Sequence, residues 1–193
     1  MESYTIENKN LKALVCPFGA TLHQLWVNTI NGWINVLQHC NDTTDYANDH
    51  WYKGAVIGPV AGRLRQPVIV LEQELDFDDF GQPLLHSGSS GWSHKMCKVI
   101  AQDPVSLTLS FHTKETQSPF PGDVTAEVHC QLFENSLQLK YRASTSKPSS
   151  VNMTNHSYFN LAPMHSFEDH LLHITSNERL EVDQNQLTTG TRY

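Results

Sequence analysis

Long apolar runs, helical periodicity, paired cysteines and clusters of lysine and arginine are all missing from this sequence. Each shortage excludes a class of protein. Charged residues make up 17% of the 193 positions, and the balance of 13 Lys and Arg against 20 Asp and Glu leaves a net charge of -7. A mildly acidic chain without a basic run is badly placed to neutralise phosphates, so neither a nucleic acid nor an anionic membrane is expected as partner. No stretch approaches the roughly 18 consecutive apolar residues that span a bilayer. The opening Met1-Glu2-Ser3-Tyr4-Thr5 has no basic stretch followed by an apolar one, so the expectation is a protein without a secretory leader, located in the cytoplasm. Cys16, Cys40, Cys97 and Cys130 are widely spaced and include no Cys-x-x-Cys pair, which predicts reduced thiols in that compartment. In the same setting the sequons at Asn41, Asn152 and Asn155 carry no glycan. The 11 histidines are many for this length, yet His-Glu-x-x-His and His-x-x-Glu-His are both absent, and no metal site is expected. His170 and His173 sit three apart on a predicted strand, where they would face opposite sides.

What is present is a period of two. In Val124-Thr125-Ala126-Glu127-Val128-His129-Cys130-Gln131-Leu132 apolar and polar residues alternate without a break. Leu137, Leu139, Tyr141 and Ala143 repeat the pattern, as do Leu107, Leu109 and Phe111. Such alternation marks strands with one buried face. Glu134-Asn135 is read as the turn joining two of them, and Asn8-Lys9-Asn10 as the turn between Tyr4–Glu7 and Leu11–Cys16. Thr21 to Val27, Val68 to Leu71, Leu171 to Thr175 and Leu180 to Asp183 are further strand candidates, and 43–53 is a candidate short helix after Asp42. Ser144 to Ser150 reads as a polar loop within one domain, not as a linker. The architecture predicted is all-β, a sandwich rather than a small barrel.

Three segments carry chemistry. Asn155-His156-Ser157-Tyr158 surrounds an imidazole with donors and acceptors, and a free imidazole ionises near about 6.5, where it can give or take a proton at neutral pH. Gly54 to Leu64 is an apolar, small-residue run ending at Arg63, a fixed cation able to donate to several hydroxyls. Leu85-His86-Ser87-Gly88-Ser89-Ser90-Gly91-Trp92 places a His and a Trp on a glycine-rich loop, and an aromatic face beside hydroxyls suits the apolar C–H surface of a sugar. The plainer alternatives are a structural histidine, a solvated arginine and an incidental loop.

Taken in order, these segments resemble the aldose 1-epimerase (galactose mutarotase) family. The family's arginine motif is similar to Gly58-Pro59-Val60-Ala61-Gly62-Arg63, and its first histidine motif to Leu85-His86-Ser87-Gly88. Phe120-Pro121-Gly122-Asp123 stands where the family has a Phe/Tyr-Pro-Gly turn. The second histidine motif is nearly complete in Val151-Asn152-Met153-Thr154-Asn155-His156-Ser157-Tyr158-Phe159-Asn160-Leu161. Val182-Asp183 and Thr189-Gly190 follow, so order and spacing match from Phe18 to Gly190.

The resemblance implies a large antiparallel β-sandwich of the galactose mutarotase type, with residues 1–193 as one domain. It implies interconversion of the α and β anomers of a free monosaccharide, galactose or glucose, without a cofactor. His156 would be the general acid at the ring oxygen, while Arg63 and His86 would bind the sugar. The family's general base is a late Glu, with a sugar-binding Asp before it, and both correspond to sequence beyond Tyr193. The resemblance therefore implies a fold incomplete at its C-terminus and weak turnover by the isolated chain. Gly62 stands where the family usually has Asn, Pro59 where it has Arg, and Ser87 at the second place of His-Gly-Gly, changes that bear on substrate contacts. A non-catalytic sugar-binding or regulatory module on the same fold is the alternative these changes suggest. A sugar-phosphate epimerase would need a basic clamp, for which Arg63 and Arg65 are the candidates.

Overall fold

The computed structural model describes residues 1–64, 68–70, 73–75, 84–162 and 167–193. β1 (Tyr4–Glu7), β2 (Leu11–Cys16), β3 (Thr21–Thr29) and β4 (Gly32–Asn35) form one four-stranded antiparallel sheet in chain order. Short strands β5 (Leu37–Gln38) and β6 (Val56–Ile57) follow, then a small hairpin of β7 (Val68–Val70) and β8 (Gln73–Leu75). A second antiparallel sheet contains β9 (Lys98–Gln102), β10 (Ser106–Thr113), β11 (Val124–Phe133) and β12 (Ser136–Thr145), each paired with the next. β13 (Thr154–Asn155) then pairs with β6, β14 (Tyr158–Phe159) with β5, and β15 (Leu180–Val182) with β16 (Thr188–Arg192). Helical structure among the described residues is limited to short 3-10 turns, the longest being Thr43–Asn48, which is capped by Asp42 and falls within the 43–53 segment read as a candidate short helix.

Alternation explains the layering. On β11 the residues Val124, Ala126, Val128, Cys130 and Leu132 are at most 3% exposed, while Thr125 and Phe133 point out. They merge with Leu107, Leu109 and Phe111 of β10 and with Ile6, Leu11, Ala13, Val15 and Leu22 of the first sheet in one apolar cluster. Burying each Leu, Val or Phe side chain is worth about 1.5–3 kcal/mol, so this shared layer holds the two sheets face to face. The edges are tied as well: Glu7 N donates to Pro104 O at 2.7 Å and Gln102 Nε2 to Thr5 O at 3.3 Å. Asn8 Oδ1 accepts from the amides of Asn10 and Leu11, both at 2.8 Å, which closes the first hairpin.

Two strand expectations need comment. Leu71 lies outside the described residues, and β7 ends at Val70. Leu171 to Thr175 is not a strand: Leu171 is 100% and Leu172 85% exposed, and no described segment runs beside them. Apolar side chains alone do not make a strand, because the backbone groups need a neighbouring ladder. His170 and His173 therefore do not share strand geometry either.

The link from this core to the loops is Trp92, which is wholly buried. Its indole stacks on Phe111 at 5.2 Å and 9°, and its Nε1 donates to Thr113 Oγ1 at 3.0 Å. Its backbone N–H donates to Gly58 O at 3.0 Å, and the six-membered ring lies directly against Gly58, where a Cβ would overlap it. Gly58→Ala should cost about 1–3 kcal/mol by overpacking, and Trp92→Ala about 3–5 kcal/mol by leaving a cavity. Urea unfolding followed by circular dichroism measures both. Midpoints equal to that of the parent would contradict this packing.

Candidate active site

The site is built where the segment 49–63 meets the segment carrying His156, which lies between β13 and β14. Asp49, only 7% exposed, accepts from Lys53 N and Lys53 Nζ at 2.7 Å and from Trp51 N at 3.3 Å, folding the segment back on itself. β6 and β13 pair through Thr154 opposite Ile57 and Asn155 opposite Val56. His156 N donates to Ala55 O at 2.9 Å, and Gly54 N donates to His156 O at 3.0 Å. The Asn155 side chain adds a bond from Nδ2 to Gly54 O at 2.7 Å, while its Oδ1 accepts from Ser157. The backbone of His156 is thus fixed on both sides.

Arg63 and His86 come together through a second ladder. Arg63 bridges Leu85, and His86 N donates to Gly62 O at 2.9 Å. Gly62 N in turn donates to His86 Nδ1 at 3.0 Å. A ring nitrogen that accepts cannot carry the proton, so the proton of neutral His86 sits on Nε2. Protonating Nδ1 would set one N–H against another. Burial first, then the nearby His156 and the charge of Arg63, pull the His86 pKa down to about 4. Ser87, 2% exposed, accepts from Val60 N at 2.9 Å and donates to Val60 O at 3.0 Å. Its hydroxyl therefore clamps the two loops and does not point at a ligand. Gly62 has φ +83°, with open space where a Cβ would stand. Asn and Gly are the residues that adopt this conformation readily, which accounts for one replacing the other here.

The imidazoles of His86 and His156 lie 5.3 Å apart at 79°. Tyr158 stands 5.3 Å from His156, and Tyr52 contacts both histidines. With Arg63, Trp51 and Gln186 they line a cavity of about 740 Å³. Arg63 donates from one guanidinium nitrogen to Gln186 Oε1 at 2.9 Å, so the β15–β16 hairpin reaches across to the site. Among the described residues no Asp or Glu lines this cavity. Glu181 accepts instead from Thr189 Oγ1 and Tyr193 Oη, and Asp183 from the amides of Asn185 and Leu187. A groove of about 790 Å³ beside β3 to β5, walled by Trp26, Trp33, Ile34 and Leu37, is slightly larger. Its polar groups are largely turned to one another: Trp26 Nε1 donates to Gln24, and Asn35 bonds the backbone of Leu25 and Leu37. It offers no comparable set of convergent groups.

All three residues singled out from the sequence, His156, His86 and Arg63, face one cavity. Arg65 lies outside the described residues. Trp92 is corrected: it faces the core, not a ligand, because it is fully buried, stacked on Phe111, with Gly58 packed against its six-membered ring. The aromatic walls are supplied by Trp51, Tyr52 and Tyr158 instead. Tyr158 was visible in the Asn-His-Ser-Tyr string, but Tyr52 and Gln186 stand in no pattern that sequence alone would flag. The four cysteines are unpaired, and burial pushes the thiols of Cys97 and Cys130 up to about 12, which keeps both protonated.

Residues 2–192 match the sequence pattern of the family described as Aldose 1-epimerase. The chain is 29% identical over 198 residues to the galactose mutarotase of Sus scrofa, covering 98% of this chain and 57% of that protein. It is 29% identical over 182 residues to the aldose 1-epimerase of Escherichia coli (strain K12), covering 92% of this chain and 53% of that one. The chain therefore spans little more than half the length of the curated relatives it matches. The crystal structure of the GalM/aldose epimerase homologue from C. elegans superposes with a TM-score of 0.91 at 26% identity, over 99% of this chain and 61% of that one. The two sheets are accordingly those of the galactose mutarotase sandwich, and this chain belongs to the aldose 1-epimerase family.

Proposed function

We propose that the protein is an aldose 1-epimerase acting on a free hexose such as galactose or glucose. The observation that carries the reading is the convergence of His156, His86 and Arg63 on one cavity. Opening a hemiacetal ring needs a proton delivered to O5 and the O1 proton removed. Rotation about C1–C2 and closure on the other carbonyl face complete the exchange. His156 delivers and recovers the O5 proton. His86, held neutral with Nε2–H outward, donates to a sugar oxygen without competing as an acid. Arg63 donates to hydroxyls, and Tyr158 and Trp51 offer faces to the apolar C–H surface. No carboxylate lines the described cavity, so the second proton transfer has no base among these residues. The four unpaired thiols support a cytoplasmic setting, and the shared core supports one β-sandwich domain over residues 1–193.

Polarimetry of freshly dissolved α-galactose tests this. The chain should accelerate mutarotation weakly, and added acetate, an external base able to enter the cavity, should raise that protein-dependent rate. His156→Gln should remove about 10²-fold or more of it. An acetate response that His156→Gln leaves intact would refute the assignment.

His86 sets a pH dependence. Its folded pKa, about 4, lies below the 6.5 of a free imidazole. Between those values the unfolded chain binds a proton that the folded chain refuses. The stability this group contributes is full above pH 6.5 and declines as pH falls toward 4. His86→Asn keeps an acceptor for Gly62 N and suits the left-handed backbone at this position, φ +55°. Its thermal midpoint should therefore fall less between pH 7 and pH 4.5 than that of the parent, by roughly the contribution of one titrating imidazole. Parallel losses in the two proteins would show that His86 is not the group responsible.

A further inference from the structure

Tyr52 stands among three imidazoles. Its ring lies 4.8 Å from His86 at 83°, 5.7 Å from His94 at 73° and 5.9 Å from His156 at 49°. His94 is itself held, with Nδ1 bonded to Ser93 Oγ at 3.1 Å and Nε2 to Asp49 O at 3.2 Å. The backbone at Tyr52 has φ +56°, a conformation that a bulky residue adopts only when its surroundings impose it. Here they do. Asp49 ties down the neighbouring amides of Trp51 and Lys53, Ala55 N donates to Tyr52 O at 3.0 Å, and Gly54 N is bonded to His156 O. The loop that bears the ring is thus hydrogen-bonded to the segment that bears His156, directly after β13. The ring packs 4.8 Å from the His86 imidazole, covering part of it, and stands beside His156 at 5.9 Å.

We propose that Tyr52 is a positioning residue, a wedge packed beside both His86 and His156 that holds them at a fixed separation and angle in the cavity lining. The inference rests on the epimerase reading for its purpose but not for its geometry. The titratable and charged groups facing His86 are His156, Arg63 and Tyr52 itself. Tyr52 is neutral, so it acts on His86 through its bulk, by excluding water. The low pKa of His86, which comes first from burial, agrees with that role. The phenol of Tyr52 is raised by its own burial and lowered by Arg63, with a net rise, so the wedge stays neutral.

NMR titration of the histidine ring signals in the 193-residue chain tests the proposal. Tyr52→Phe keeps the ring, whereas Tyr52→Asn removes it and suits the left-handed backbone. Tyr52→Phe should leave the His86 midpoint within about 0.3 pH unit of the parent, and Tyr52→Asn should raise it by about one unit or more as water enters. If Tyr52→Asn loses its dispersed amide spectrum, Tyr52→Gly, unstrained at the same φ, gives the same comparison. In acetate-assisted mutarotation, Tyr52→Asn should lower kcat by about ten-fold or more with KM little changed, because it disturbs alignment and not uniform binding. A His86 midpoint unmoved by Asn or Gly, or moved equally by Phe, overturns the wedge. A parent chain that shows the titration pattern but never accelerates mutarotation overturns the epimerase reading and leaves the wedge standing.

Discussion

The structure depends on the contact of the Trp92 indole with Gly58. One face of the indole belongs to the core, stacked on Phe111, and its Nε1 is anchored to Thr113 on β10. The other side accepts the backbone of the loop at Gly58, which can approach only because no Cβ intervenes. From that contact the chain runs directly through Pro59 and Val60 to Gly62 and Arg63, and across Ser87 to His86. The loops that carry Arg63 and His86 are therefore tied to the sheets through this buried side chain, together with the backbone bonds from Leu22 N to Gly54 O and from Val56 N to Gly19 O. Few flexible bonds separate the sandwich core from the imidazoles.

The two histidines differ because their surroundings differ. His86 accepts from a backbone amide and is half-buried beside a fixed cation, so it is held neutral in one tautomer. His156 directly follows β13, its N–H and C=O are both bonded to the 54–55 segment, and its side chain faces Tyr52, Tyr158 and His86. Two chemically identical side chains thus stand in different surroundings. The differences from the family's usual residues are also local. Ser87 is absorbed into the loop clamp, and Gly62 preserves a left-handed turn while giving up a side chain in the cavity. Neither disturbs the placement of Arg63 or His86.

Much of this was legible in the residues. Alternation in Val124 to Leu132 announced a strand buried on one face because a strand's side chains must alternate. Asn8-Lys9-Asn10 announced a turn because short polar side chains bond nearby amides. The same logic failed at Leu171 to Thr175, whose composition suits a strand but which pairs with no strand among the described residues. It also read the Trp92 loop as either a sugar-facing aromatic or an incidental loop, and reached neither the core position of Trp92 nor its stacking on Phe111.

The sequence by itself determined the period-two layering, the turns, and the identities of His156, His86 and Arg63, because these rest on local geometry and on the order of motifs along the chain. Only the tertiary structure decided which aromatic rings reach the cavity, which nitrogen of His86 carries the proton, and that Tyr52 packs beside both histidines. Those facts depend on segments far apart in sequence, such as Gly62 with His86 and Gly54 with His156. Burial and hydrogen-bond partners exist only once such segments have met, so no reading of neighbours along the chain could supply them.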